Sequence, residues 1–138
     1  MSVYLDASVL IPQFVDDVHS ERADALIGGT SDAFVVSDFA AAEFSSGLSR
    51  LVRMSELARD VARATFAKFD LWTKDATRRI ELTSADIGAA EILLRRLEFP
   101  LTTPDMLHLA LAQRHGLRLA TFDARMASAA TVVGLEVA

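Results

Sequence analysis

Cysteine is absent from the 138 residues. That excludes disulfides, thiolate metal sites and a cysteine nucleophile, and it fits a reducing compartment. Long apolar runs are missing too. No segment approaches the ~20 apolar residues that a membrane-spanning helix needs, so no membrane role is expected. The early apolar stretch is interrupted by Asp6 and has no basic region before it. No secretory leader is predicted, and the expected location is the cytoplasm. Lysine is scarce, two against twelve arginines, and the net charge is −5. An acidic balance counts against a broad phosphate-binding face. It does not count against an acidic site that holds divalent cations, because the ions bring their own positive charge. No Gly/Ser/Pro linker, repeat or low-complexity tract divides the chain. No Gly-rich phosphate loop is present, since Gly28-Gly29 only ends a helical stretch, and no Ser/His/Asp triad competes.

What remains is 51% hydrophobic and 24% charged, the balance of one globular domain spanning 1–138. Short apolar runs alternate with longer helical patterns. Strands are predicted at 2–6, 33–37, 79–82, 117–121 and 132–136. Helices are predicted at 38–52, 55–74, 84–96 and 104–115, the last three with apolar residues at i, i+3, i+4 spacing. Thr83 through Asp86 read as a capping box. Thr103 reads as an N-cap with Pro104 at the first helical position, and Gly116 as the stop of the same helix. The alternation predicts an α/β fold: a three-layer α/β/α sandwich around a central parallel sheet.

Four acidic residues stand out in this frame. Asp6 follows the strand Val3-Tyr4-Leu5. Glu43 lies on the helix after the second strand. Asp105 is just inside the helix at Thr103-Pro104, and Asp123 follows the strand 117–121. Ligands of open α/β sheets bind at the carboxyl ends of the strands, where such handovers collect. Taken singly, Asp6, Asp105 and Asp123 are better explained as caps on orphan helix amides. Glu43 is less easily explained that way. Its helical neighbours are Phe39, Ala40, Ser46 and Gly47, an apolar and small-residue face on which an unpaired carboxylate is costly. The small residues leave room for an ion or a substrate.

Converging carboxylates require cations, and all-oxygen donors favour Mg²⁺ or Mn²⁺ over zinc. No histidine pair at i, i+4 suggests zinc. The chemistry that suits such a site is metal-assisted phosphodiester hydrolysis, with no side chain as nucleophile. Ser8 and Thr121 are each two residues from a candidate ligand. They serve either as helix caps or as orienting partners of Asp6 and Asp123.

The segments Tyr4-Leu5-Asp6-Ala7-Ser8-Val9-Leu10, Ala42-Glu43-Phe44, Thr103-Pro104-Asp105-Met106-Leu107-His108-Leu109-Ala110 and Thr121-Phe122-Asp123 occur in this order along the whole chain. They resemble the PIN-domain ribonucleases, specifically the VapC-like toxins of toxin–antitoxin modules. The resemblance implies a helix-flanked parallel sheet with an Mg²⁺ or Mn²⁺ site. It implies endoribonuclease activity on RNA such as tRNA or rRNA, and neutralisation by a cognate antitoxin. Asp6, Glu43, Asp105 and Asp123 fall on the family's acidic positions, and Ser8 and Thr121 on its hydroxyl positions. Pro104 and Met106 are particular to this chain.

Several residues carry a second reading. Asp38 reads as the N-cap of the Glu43 helix, with a metal contact as the lesser alternative. His108, one turn beyond Asp105, reads as a packed histidine with one hydrogen bond, with an approach to substrate or to a partner of the site's ligands as the lesser alternative. Phe66 and Phe69 read as core, and Trp72 as core or partner contact. Arg50, Arg53, Arg59 and Arg63 are either solvated or a basic rim that steers RNA. The apolar surplus suits a homodimer or a groove for an antitoxin segment. Two rival functions come from other classes. A phosphorylated receiver domain needs an acidic pair after strand one and a late lysine, and neither is present. A catalytically silent PIN-like interaction module is the alternative that the sequence leaves open.

Overall fold

The computed structural model describes residues 1–138. The element order is β1 (Val3–Leu5), α1 (Ala7–Phe14), α2 (Ser20–Gly28), β2 (Phe34–Ser37), α3 (Asp38–Arg53), α4 (Arg59–Ala76), β3 (Thr77–Ile80), α5 (Ser84–Arg95), α6 (Thr103–Arg114), β4 (Arg118–Ala120) and α7 (Ala124–Val132). The four strands form one parallel sheet in the order β3-β2-β1-β4. The chain leaves β1 toward β2 on one side, and β4 docks on the other. The carboxyl ends of β1 and β4 therefore flank the point where the strand order reverses, where doubly wound sheets place their ligands.

Alternation along the strands builds two cores. Val3, Leu5, Phe34 and Val36 point to one face and pack with Leu10, Phe44, Leu48 and Phe69 from α1, α3 and α4. Tyr4, Val35 and Leu119 point to the other face and pack with α5, α6 and α7. Period-two side chains on a sheet covered on both faces give this arrangement directly. The α1–α3–α4 core is aromatic. Phe44 stacks on Phe69 with centroids 4.0 Å apart, and Phe14 meets Phe44, Phe69 and Trp72 edge-on. Trp72 is thus a partly buried core residue. Phe66 joins the same cluster from its margin.

The expected three-layer architecture is present, with differences at four points. Residues 132–136 are not a strand. The helix α7 runs on to Val132, Gly134 turns the chain at φ +86°, and only an isolated bridge, Leu119 to Val137, lies beside β4. The β-branched pair Val132-Val133 looks strand-like in sequence, but the alanine-rich turn before it propagates the helix. The third strand is Thr77–Ile80, and its Arg78 and Arg79 are exposed. Arginines on this outermost strand keep the open edge from pairing with another chain. The N-cap of α6 is Thr102 rather than Thr103, with Pro104 in the first turn. The N-cap of α3 is Ser37 rather than Asp38, whose carboxylate instead accepts from the Leu82 amide at 2.8 Å. The capping box of α5 forms as expected between Thr83 and Asp86, and Gly116 ends α6 at φ +61°.

Candidate active site

Asp6 ends β1 and caps α1. It is 2% exposed. Its Oδ1 accepts from the Ser8 amide at 3.0 Å and the Ser8 hydroxyl at 2.6 Å, and its Oδ2 accepts from the Thr121 hydroxyl at 2.6 Å. Ser8 Oγ in turn accepts the Phe122 amide at 2.8 Å, and Thr121 Oγ1 accepts the Asp123 amide at 3.1 Å. Two hydroxyls thereby tie the end of β1 to the loop after β4. No arginine or lysine pairs with Asp6. Burial pushes its carboxyl above the ordinary range, and the hydroxyls of Ser8 and Thr121 only partly offset this. A buried carboxylate held by neutral donors without a countercharge is an incomplete electrostatic unit.

Asp123, half-buried, caps α7. Its Oδ1 accepts from the amides of Arg125 and Met126 at 2.9 and 3.3 Å. Asp105 stands in the first turn of α6, where its Oδ2 accepts from the Thr102 amide and hydroxyl at 3.1 and 3.0 Å. Both residues therefore carry out the capping that their positions suggest, each with one oxygen, which leaves the second oxygen of each carboxylate unbonded. No hydrogen bond ties Asp105 to the other three acids.

Glu43 projects from the second turn of α3 and hydrogen-bonds His108 Nε2. The His108 Nδ1 lies 2.6 Å from the Tyr4 hydroxyl, which lies 2.8 Å from Ser37 Oγ. His108 thus makes two hydrogen bonds rather than the single one expected, and it is in contact with a candidate ligand. Its partners lie 65 and 104 residues away, beyond the reach of local pattern. The one local signal was a histidine on an otherwise apolar, buried helix face. Burial pushes the Tyr4 hydroxyl far above its ordinary range, so it stays protonated. At Gly47 the expected room is taken up: a Cβ there would come within 2.6 Å of Ile11 Cδ1, so the glycine serves the packing of α1 on α3. Asp38 touches neither network.

The donors offered by Asp6, Glu43, Asp105 and Asp123 are all carboxylate oxygens, a set suited to Mg²⁺ or Mn²⁺. No three His, Asp or Glu side chains are gathered into a finished cation cage. The fit rests on donor chemistry and on the uncompensated burial of Asp6.

The domain model that matches this chain is that of the PIN domain, over residues 3–132. The chain belongs to the PIN-domain family. This PIN domain is 32% identical over 139 residues to Ribonuclease VapC46 of Mycobacterium tuberculosis, covering 99% of the chain and 95% of the relative. Among solved structures it is similar to the sarcin-ricin loop cleaving toxin VapC20 of M. tuberculosis, with a TM-score of 0.74 and 20% identity over 92% of this chain and 94% of that one. It is also similar to VapBC2 of Rickettsia felis, solved bound to a DNA fragment from its promoter, with a TM-score of 0.71 and 13% identity over 100% and 98%. Identities this low speak for the fold alone. No helix of the PIN domain is long and apolar enough to cross a membrane.

Proposed function

We propose that this PIN domain is a divalent-metal-dependent endoribonuclease and the toxin of a toxin–antitoxin pair, neutralised by a cognate antitoxin. The carrying observation is Asp6: a carboxylate buried at the reversal point of the sheet, fixed by Ser8 and Thr121, with no basic partner. The 32% identity to a ribonuclease along nearly the whole of both chains supports the activity. The matching folds of toxin–antitoxin complexes support the antitoxin partner. In this reading Asp6, Glu43, Asp105 and Asp123 hold Mg²⁺ or Mn²⁺. When bound, the ion supplies positive charge at the scissile phosphate and activates water.

The chain's own residues do the rest. Ser8 and Thr121 orient Asp6, and Thr121 also holds the backbone of Asp123 in place. Neither hydroxyl is the nucleophile, because each hydrogen is committed to a carboxylate. The exposed Arg50, Arg53, Arg59 and Arg63 form a basic rim that draws RNA toward an otherwise acidic protein. A tRNA or rRNA is the expected substrate, the cytoplasm the expected location, and a homodimer or toxin–antitoxin hetero-oligomer the expected assembly. The test is cleavage of purified RNA with Mg²⁺ or Mn²⁺. Asp6→Asn and Asp105→Asn abolish it while circular dichroism stays unchanged. Undiminished cleavage by either variant contradicts the assignment.

A further inference from the structure

The chain of hydrogen bonds behind Glu43 has a direction. The Ala40 amide can only donate, and it donates to Ser37 Oγ at 2.9 Å. Ser37 is fully buried, and its one other partner is the Tyr4 hydroxyl. The Ser37 hydrogen therefore goes to the Tyr4 oxygen. The Tyr4 hydrogen is left for its remaining partner, His108 Nδ1. A ring nitrogen that accepts carries no hydrogen, so the ring hydrogen sits on Nε2 and points at Glu43. Both ends of this relay lie on α3: Ser37 is its N-cap and Glu43 is in its second turn. The relay passes through β1 and α6 in between. The imidazole plane is also confined, with the rings of Phe39 and Tyr4 at 5.1 and 5.7 Å from its centroid.

We propose that His108 is a positioning residue for Glu43. Tyr4 locks it in the Nε2–H tautomer, and it holds one carboxylate oxygen of Glu43 while the other stays available at the acidic edge. The proposal rests on reading Glu43 as a member of the cation site. The Glu43 side chain is 31% exposed and that of His108 is 3% exposed, so the acid faces the opening and its holder stands behind it. Partners in this position typically contribute about 10- to 100-fold in metal affinity or activity.

The test combines nitrogen NMR of the ¹⁵N-histidine-labelled protein with Mn²⁺ calorimetry and RNA cleavage. In the parent, His108 shows an unprotonated Nδ1 and a protonated Nε2. Tyr4→Phe removes the lock, and the single-tautomer signature is lost. His108→Leu weakens Mn²⁺ binding and lowers kcat by about 10- to 100-fold, with KM for RNA unchanged. His108→Gln, which keeps a donor toward Glu43, recovers most of both. An Nδ1–H tautomer in the parent overturns the proposal. So does a folded His108→Leu with parental Mn²⁺ affinity and rate, provided that Glu43→Gln is impaired. Parental affinity and rate in Glu43→Gln overturn instead the site reading beneath it.

Discussion

Thr121 donates its hydroxyl hydrogen to Asp6 Oδ2 at 2.6 Å and accepts the Asp123 amide at 3.1 Å. One side chain thus joins two candidate ligands that lie more than a hundred residues apart. Thr121→Val keeps the shape and removes both bonds. Leaving a buried carboxylate oxygen without its donor costs about 1–3 kcal/mol of stability. Loss of orientation costs about 10- to 100-fold in Mn²⁺ affinity. Thr121→Ser retains both properties. Thermal melts and calorimetry on the two variants check this.

Burial raises the Asp6 carboxyl above its unfolded value of about 3.9. The native state then keeps a proton that the unfolded chain has already released. Stability from this source is complete below the unfolded value and declines as pH rises through the raised native one. In the presence of a chelator, Asp6→Asn flattens that decline. It is more stable than the parent at neutral pH, although it no longer cleaves RNA. Urea titrations across the acid-to-neutral range measure both slopes.

Asp86 has the opposite sign. Burial pushes its carboxyl up, but the Arg114 guanidinium at 2.6 Å and the Thr83 donors outweigh burial and hold it below the ordinary range. Its contribution is present above about pH 4 and is lost as pH falls through the depressed native value. Arg114→Met destabilises the neutral protein by about 2 kcal/mol, because the arginine is partly solvated while the aspartate is not. It also reduces the loss of stability on acidification. Denaturant midpoints at neutral and acid pH test the prediction.

Much of this was legible in the sequence where the signal is local. The period of α4, α5 and α6 and the Thr83–Asp86 box follow from spacing and hydrogen-bonding capacity within one or two turns. The helix α1 is legible only as a helix opening after Asp6; its extent is not, because Val9-Leu10-Ile11 is a continuous apolar run and Pro12 sits inside the helix. The choice between Thr102 and Thr103 as cap depended on how the loop enters α6, since both side chains can cap. The burial of Asp6 between Ser8 and Thr121 follows from the pairing of β1 with β4. The contact of His108 with Glu43 follows from the docking of α6 near α3. Neither docking has a local signature: Ser8 and Thr121 are legible as companions of Asp6 and Asp123 from their spacing of two residues, whereas the pairing of Glu43 with His108 is not.

In the proposed function Asp6, Glu43, Asp105 and Asp123 act as one cation site. Calorimetric titration of Mn²⁺ into the parent and into the four single variants Asp6→Asn, Glu43→Gln, Asp105→Asn and Asp123→Asn tests it most directly. The predicted result is saturable binding by the parent and a marked loss of affinity in every variant. Absence of binding by the folded parent, or binding that none of the four substitutions alters, contradicts the claim and points to an interaction module in place of a nuclease.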